Sequence, residues 1–534
     1  MKKFFALTIL SLIVLVLVGA CGPTPAPTAA PTKAPVPPTE TPTAAPAPPT
    51  AAPTATPAPA GPSGKVVIAI GGDPSTLDPQ YADDGNERAV NDNIYEMLLF
   101  RDPKTMEIGP GLAESWRQVD PTTWEFKLRQ GVKFHNGEPF NAEAVVFSVK
   151  RIIDPAFKSE QLSFVATLTD ARAVDEYTVQ IITSGPDPIL PARLTWMKIV
   201  PPKYTVENAT DFPNKPVGTG PYKFVEWKKG DHVTLVANEE YWGEMPKIKE
   251  VIIRPIPEEA TRLAALKAGE VDLVRGLIPE YVQDVPKSAY IPGLEFPWIR
   301  INANKGKLAD VRVRQALNYA VDKEALAQSL YSGYAVPADG QLLTKGHFGY
   351  NPNVTAYPYD PDKAKALLKE AGAEGLTVEL IGESGRWLKD KELIEAVAGQ
   401  LTEVGVNVQV KIVEWSAWLD LLFAGAEKAP DLQFSSHDNA LLDADRTLSA
   451  IFHSKGSQAA YSNPEVDKLV DDGRTETDVK KREEMYHKVV QIVHDEAACI
   501  FLLNLDDVYG LSKRLEWTPR LDGRILVKEM MLTE

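Results

Sequence analysis

Residues 22 to 64 of this 534-residue chain hold 15 prolines, and Ala and Thr make up most of the rest. The stretch has no aromatic residue and only two charges, Lys33 and Glu40. It has nothing with which to bury a core and is expected to stay extended. Where it is polyproline-like it rises about 3.1 Å per residue, which makes a semi-rigid stalk. The body that follows, from Lys65 to Glu534, exceeds the size at which one core usually holds. Two or three sub-domains are therefore expected.

The stalk follows a short N-terminal piece. Lys2 and Lys3 precede an apolar run from Phe4 to Val18, broken only by Thr8 and Ser11, and Gly19-Ala20 are small. That order is a secretory signal ending at a processing site. The run falls short of the roughly 20 apolar residues a spanning helix needs. Val18-Gly19-Ala20-Cys21 resembles the lipobox of bacterial lipoproteins. The resemblance implies a signal peptide over residues 1–20, a lipid on Cys21 and a lipid-anchored Pro/Thr/Ala-rich linker over 21–64. The expected location is extracytoplasmic, anchored to the cell membrane through Cys21.

The formal net charge is −16, which argues against nucleic acid as a partner. The two cysteines are Cys21 and Cys499, so no disulfide framework or Cys-based metal site is available. Cys499 lies in the apolar run Ala497–Phe501 and reads as a small core residue. The seven histidines make no zinc-protease pattern. His487 and His494 share a helical face, where a surface or structural role is expected. No Gly-x-Ser-x-Gly elbow occurs. No catalytic residue, cofactor or metal is expected.

Local patterns predict mixed α and β structure. Val66 to Ile70 is an apolar strand, and Thr123 to Leu128 alternates with Trp124, Phe126 and Leu128 on one side. Asn141 is placed to cap a helix through Ile153, and Gly269 to stop the helix that begins at Glu258. Asp360-Pro361 pairs an N-cap with a proline at the first helical position. A strand over 376–381, a helix over 389–404 and a strand over 406–413 read as a β-α-β unit. Helices are also expected from Asn463-Pro464 and over 477–494. Val217-Gly218-Thr219-Gly220-Pro221 runs into a strand-like stretch rather than a helix, so it reads as a tight crossover and not as a phosphate cradle.

Several blocks carry a family resemblance: Leu112–Trp116, Thr123–Gly137, Asn141–Ser148, Gly218–Tyr222, Asp310–Leu317 and Tyr359–Ala364. In this order they resemble the dipeptide- and oligopeptide-binding proteins of ABC importers, extracellular solute-binding family 5. The resemblance covers essentially all of 65–534. It implies an α/β, periplasmic binding protein-like type II fold, with two lobes around a ligand cleft and an additional inserted domain. The implied boundaries are 65–100, 216–297 and 506–534 for a discontinuous lobe I, 101–215 for the inserted domain, and 298–505 for lobe II. The implied role is a substrate-binding protein that captures short peptides or a related small organic solute by hinge closure. It would deliver that solute to ABC permease subunits and act as a monomer. The same fold binding oligosaccharide, glutathione or a nickel chelate is the alternative. A secreted hydrolase and a signalling or adhesive surface receptor are further ones.

Relatives present main-chain groups and an acidic anchor from a Gly-Trp-x-x-Asp-like segment. The corresponding stretch here is Asp431 to Asn439, where Ser-Ser or Ser-His replaces Gly-Trp. The resemblance makes Ser436, His437 and Asp438 ligand candidates, with Asp438 either anchoring an ammonium or capping the next turn. Tyr81 and Asp84 follow the first strand. Phe164 follows the inserted-domain helix, and Trp298 sits at the crossover into lobe II. Trp298 or Trp196 is placed to stack on a ligand, with core or rim as the other reading. Arg386 is placed to pair with a ligand carboxylate or to stand as a solvated loop charge.

Overall fold

The computed structural model describes residues 61–533. The signal segment, Cys21 and the linker up to residue 60 lie outside the described residues.

Three sheets organise the body. The first runs in the order Lys287–Pro292, Leu503–Leu511, Leu273–Arg275, Ser63–Ile70, Ile248–Pro255, His232–Ala237, Tyr222–Lys228, and Ala335–Pro337 adds to the Leu503–Leu511 strand. Ser63–Ile70 pairs in parallel with both its neighbours. The second runs Asn407–Ile412, Thr377–Gly382, Leu432–Asp438, Glu295–Ile301, Cys499–Phe501. The third is antiparallel, in the order Ala113–Asp120, Thr123–Leu128, Thr178–Thr183, Leu168–Asp175. Each sheet has its own apolar core. The first and second sheets carry the two lobes, and the third carries the inserted part. The chain crosses between lobes at 292–295 and at 501–503. These two short crossings join the first and second sheets.

The local punctuation follows the residues. Asn141 Oδ1 accepts from the Glu143 and Ala144 amides and caps the Ala142–Ile153 helix. Gly269 ends the Glu259–Ala268 helix at φ +75°, a conformation that favours glycine. Asp360 accepts from the Lys363 amide at 2.9 Å, with Pro361 in the first turn. The expected helix over 477–494 begins two residues later, at Val479, because Asp478 is the cap that takes the first free amides. The 389–404 helix begins at Asp390, since Lys389 adopts φ +57°.

The Gly218–Pro221 crossover is packed backbone to backbone. A Cβ on Gly218 would stand 2.1 Å from the Ile94 carbonyl oxygen. The Gly220 amide donates to that same oxygen at 2.8 Å. His135, from the inserted part, completes the joint. Its Nε2 lies 2.9 Å from Gly220 O, and its Nδ1 faces the Gly218 amide at 3.4 Å. That geometry makes Nε2 the protonated nitrogen, and burial lowers the ring pKa to about 4.

Candidate functional site

The Leu432–Asp438 strand lies beside Glu295–Ile301 in antiparallel register. Glu295 faces Asp438 and Pro297 faces Ser436, while Phe296 faces His437 and Trp298 faces Ser435. Successive side chains on a strand point to opposite faces. Asp438, Ser436 and Glu295 therefore share one face. His437 and Trp298 share the other, where Trp298 is only 1% exposed, in a core with Phe296 and Phe501. His437 is buried there, with Nε2 2.9 Å from Thr447 Oγ1, and burial holds its pKa well below the usual range. The structure thus does not bring His437 and Trp298 to the face that carries Asp438. His437 belongs to the Leu432–Asp438 strand.

On the Asp438 face the polar groups are poorly matched to one another. Asp438 Oδ1 and Ser436 Oγ are buried without a hydrogen-bond partner among the described residues. Burial pushes the Glu295 carboxyl up to about 7; the nearby Ser436 hydroxyl opposes this and the Asp438 charge adds to it. Asp507, on the Leu503–Leu511 strand, is raised by burial against the pull of Arg275. Asp507 and Asp438 both act on Glu295. Three carboxyls from both sides of the hinge thus converge.

The first lobe supplies the helix Gly85–Ile94. Asp84 caps it, accepting from the Asn86 amide at 2.7 Å, so its carboxylate is committed to the backbone. The preceding Asp83 and the helix residue Asp92 both bind the buried Lys198 ammonium at 2.9 Å. Arg88 lies one turn in. Burial works against its charge, but Asp83, Asp438, Asp92 and Asp84 outweigh this and raise its pKa. Tyr81 stands apart from this group, 40% exposed and edge-on to Phe157 at 6.0 Å.

Phe164 stacks on Trp196, centroids 4.9 Å apart and rings within 12° of parallel. The Arg88 guanidinium lies 4.9 Å from the Trp196 ring, and that of Arg446, from the second lobe, lies 5.0 Å from Phe164. Met106, Leu294, Ala440 and Leu442 close around this stack. Arg386 is exposed and lies 5.9 Å from the Trp387 ring and 5.8 Å from that of Trp415. Beside it, Lys389 of the second lobe bridges to Glu280 of the first at 2.8 Å. Arg101 donates to Leu441 O at 2.5 Å across the same divide. The arrangement presents acids, guanidiniums and a stacked aromatic pair from opposing lobes, which suits recognition of a small organic solute.

Sequence patterns had not singled out Arg88, Glu295, Arg446 or Asp507. The one usable signal was Asp506-Asp507, two adjacent acids in a largely apolar strand. A cavity of about 900 Å³ is lined by Phe296, Leu343 and Tyr357 together with Met106 and Leu521, which also border the Phe164–Trp196 stack. Since Phe296 points away from Asp438, this cavity lies behind the hinge strand. Among the described residues, no cluster of three or more His, Cys, Asp or Glu side chains is grouped to hold a metal. No described helix is long and apolar enough to cross a membrane.

Glu295 gives a pH prediction. Its folded pKa, about 7, stands above the ordinary 4.5, so the folded protein keeps a proton there that the unfolded chain releases. This group's contribution to stability is complete below about pH 4.5 and is lost as pH rises through about 7. Glu295→Gln is expected to flatten part of the decline in melting temperature between those values. Asp506, at about 6, and Glu383, at about 7, act in the same direction and keep some slope in place. Calorimetric melts across this range check it; an unaltered slope counts against the assignment.

Residues 107–459 match the family model for bacterial extracellular solute-binding proteins, family 5 middle region. A glutathione-binding protein of Pectobacterium atrosepticum is 30% identical over 466 residues, covering 84% of this chain and 90% of its own. A heme-binding protein of Haemophilus influenzae is 30% identical over 475 residues, covering 80% and 84%. An ABC transporter-associated periplasmic binding protein of Helicobacter pylori, solved with a bound peptide, superposes with a TM-score of 0.71 at 26% identity, over 88% of this chain and 98% of that one.

Proposed function

This chain belongs to the bacterial extracellular solute-binding proteins of family 5, and we propose that it captures a short peptide or a related small organic solute for an ABC importer. The fold is that of the periplasmic binding proteins, with lobes on either side of a cleft and an inserted third part. The observation that carries the reading is the Asp438 face: buried polar groups without partners, opposed across the hinge by Arg88 and an aromatic stack. A buried polar group without a partner is costly, and a bound solute supplies what the protein does not. Asp438 and Ser436 are the second lobe's contacts, Phe164 is the aromatic one, and Arg386 stands at the rim. Tyr81 and Asp84 contribute indirectly, through the loop and the helix cap that precede Arg88. Binding needs no covalent step, and no turnover of a bound solute is expected.

A melting-temperature screen over peptides, glutathione, heme, oligosaccharides and metal chelates tests this. A ligand present at 100 times its dissociation constant stabilises the folded state by about 2.7 kcal/mol. Shifts with oligosaccharides and none with peptides would remove the peptide assignment; loss of the ligand on prolonged incubation would revive a hydrolase. Tethering through a lipid on Cys21, to a monomer held off the membrane by the proline-rich stalk, is the matching reading of residues 1–64. Mass spectrometry of the exported chain should find a diacylated N-terminal cysteine. A Cys21→Ser chain should leave the membrane fraction, and one that stays there contradicts the tether.

A further inference from the structure

We propose that a cavity on the seam between the first lobe and the inserted part binds a neutral ring compound with one polar atom, of the phenol or indole kind, independently of the cleft between the lobes. The inference goes beyond the solute-binding reading and does not depend on it.

The cavity holds about 700 Å³, and its lining residues all fall between Thr76 and Pro213. The second lobe therefore contributes none of them. The loop after the Ser63–Ile70 strand supplies Tyr81, the Ala142–Ile153 helix supplies Phe147, and the turn beyond that helix supplies Phe157. Phe212 adds a fourth ring, and the exposed Val206 stands at the rim. Hydrogen bonds lace the seam. Ser159 Oγ donates to Gln80 O at 2.6 Å, Gln161 Nε2 to Pro79 O at 2.9 Å, and the Glu160 amide to Tyr81 O at 2.9 Å. The walls are thus set before anything binds, which lowers the cost of binding.

Charge decides what fits. A box of aromatic rings ordinarily suits a cation. Here that place is taken, because the Arg151 guanidinium lies 3.9 Å from the Phe157 ring centre and 5.6 Å from that of Phe212. Arg151 is itself held by the buried Asp78, through both terminal nitrogens, and by Gln80. The pair leaves neither charge for a ligand: a cation meets Arg151, and an anion meets Asp78. One polar atom remains. Thr205 lines the cavity at 4% exposure, and its Oγ1 is buried without a hydrogen-bond partner among the described residues. Such a hydroxyl is costly, and a single O–H or N–H on an apolar ring meets its need. A sugar brings more hydroxyls than these walls can pair.

The test titrates the full-length chain calorimetrically with indole and phenol, and with benzoate and benzyltrimethylammonium as charged counterparts. The neutral rings should bind roughly tenfold more tightly than either ion, since an unpaired charge resists burial. Thr205→Val should weaken indole and phenol about threefold, the size of one net hydrogen bond. Val206→Glu, which puts a charge at the rim, should weaken them about fivefold. Thr205→Val should melt no lower than the wild type, because it removes only an unpaired hydroxyl, so its lost affinity is not lost fold. Ions that bind as tightly as the neutral rings overturn the proposal. So do neutral rings that bind both variants as tightly as the wild type, or that bind no chain at all. Saturation with the best solute from the screen should leave indole binding unchanged. If that solute displaces indole, the ring sits in the cleft, and the proposal falls while the solute-binding reading stands.

Discussion

Arg482→Met is expected to destabilise the protein by about 3–5 kcal/mol, the range for removing one partner of a buried ion pair. Arg482, on the helix Val479–Asp495, grips Asp443 with both terminal nitrogens, at 2.7 and 2.6 Å, and donates its Nε to Gly473 O at 2.9 Å. Its guanidinium also lies 4.7 Å from the Phe348 and Tyr486 rings. Methionine fills much of the volume but leaves the Asp443 carboxylate buried and unpaired. Asp443 also caps the helix that bears Arg446, accepting from the Asp445 amide at 3.0 Å. The damage therefore reaches the cleft as well as the core. Urea titration gives the size of the loss. Adding Asp443→Leu should recover part of it, because the stranded charge is then gone. A loss under about 1 kcal/mol would mean that water reaches Asp443 and the pair is not truly buried.

Asp438→Asn should have the largest effect on binding. If Asp438 holds a cationic group of the solute, loss of its charge costs about 2–5 kcal/mol, or roughly 30-fold or more in affinity. The same substitution should change the melting temperature of the ligand-free chain little, because the Asp438 charge opposes ionisation of Glu295 and Asp507 but favours the Arg88 and Arg446 cations. His437→Gln is the contrasting variant. It alters the buried contact to Thr447 on the opposite face, so it should lower stability and spare affinity. Calorimetric titration with the best solute from the screen separates the two. Affinity lost in His437→Gln and kept in Asp438→Asn would reverse the assignment of faces.

These two neighbours show where sequence reading succeeds and where it stops. Caps and stops were legible because they are decided within one turn of chain: Asn141, Gly269 and Asp360 do what their residue types favour. Gly218 and Gly220 were legible as a crossover, although the carbonyl they make room for lies more than a hundred residues earlier. The segment around Asp438 was found by resemblance, yet which of its side chains face the cleft was not. A strand's alternation separates two sets of residues, and only its partner strand and the core behind it decide which set points inward. Trp298 reads as core or rim more readily than as a ligand platform, and the packing of Phe296 and Phe501 places it in core. Arg88, Glu295, Arg446 and Asp507 come from four separate stretches of chain. Nothing local marks them as a set.

The central claim, that a solute draws the two lobes together about the hinge, is tested most directly by a distance across the cleft mouth. In a chain with Cys21 replaced by serine, spin labels at exposed positions Gln283 and Lys391 flank the Glu280–Lys389 bridge. The buried Cys499 should stay unlabelled. A saturating solute should collapse a broad, long distribution into one narrow, short distance. Distributions that stay the same with and without a solute that binds would contradict the account.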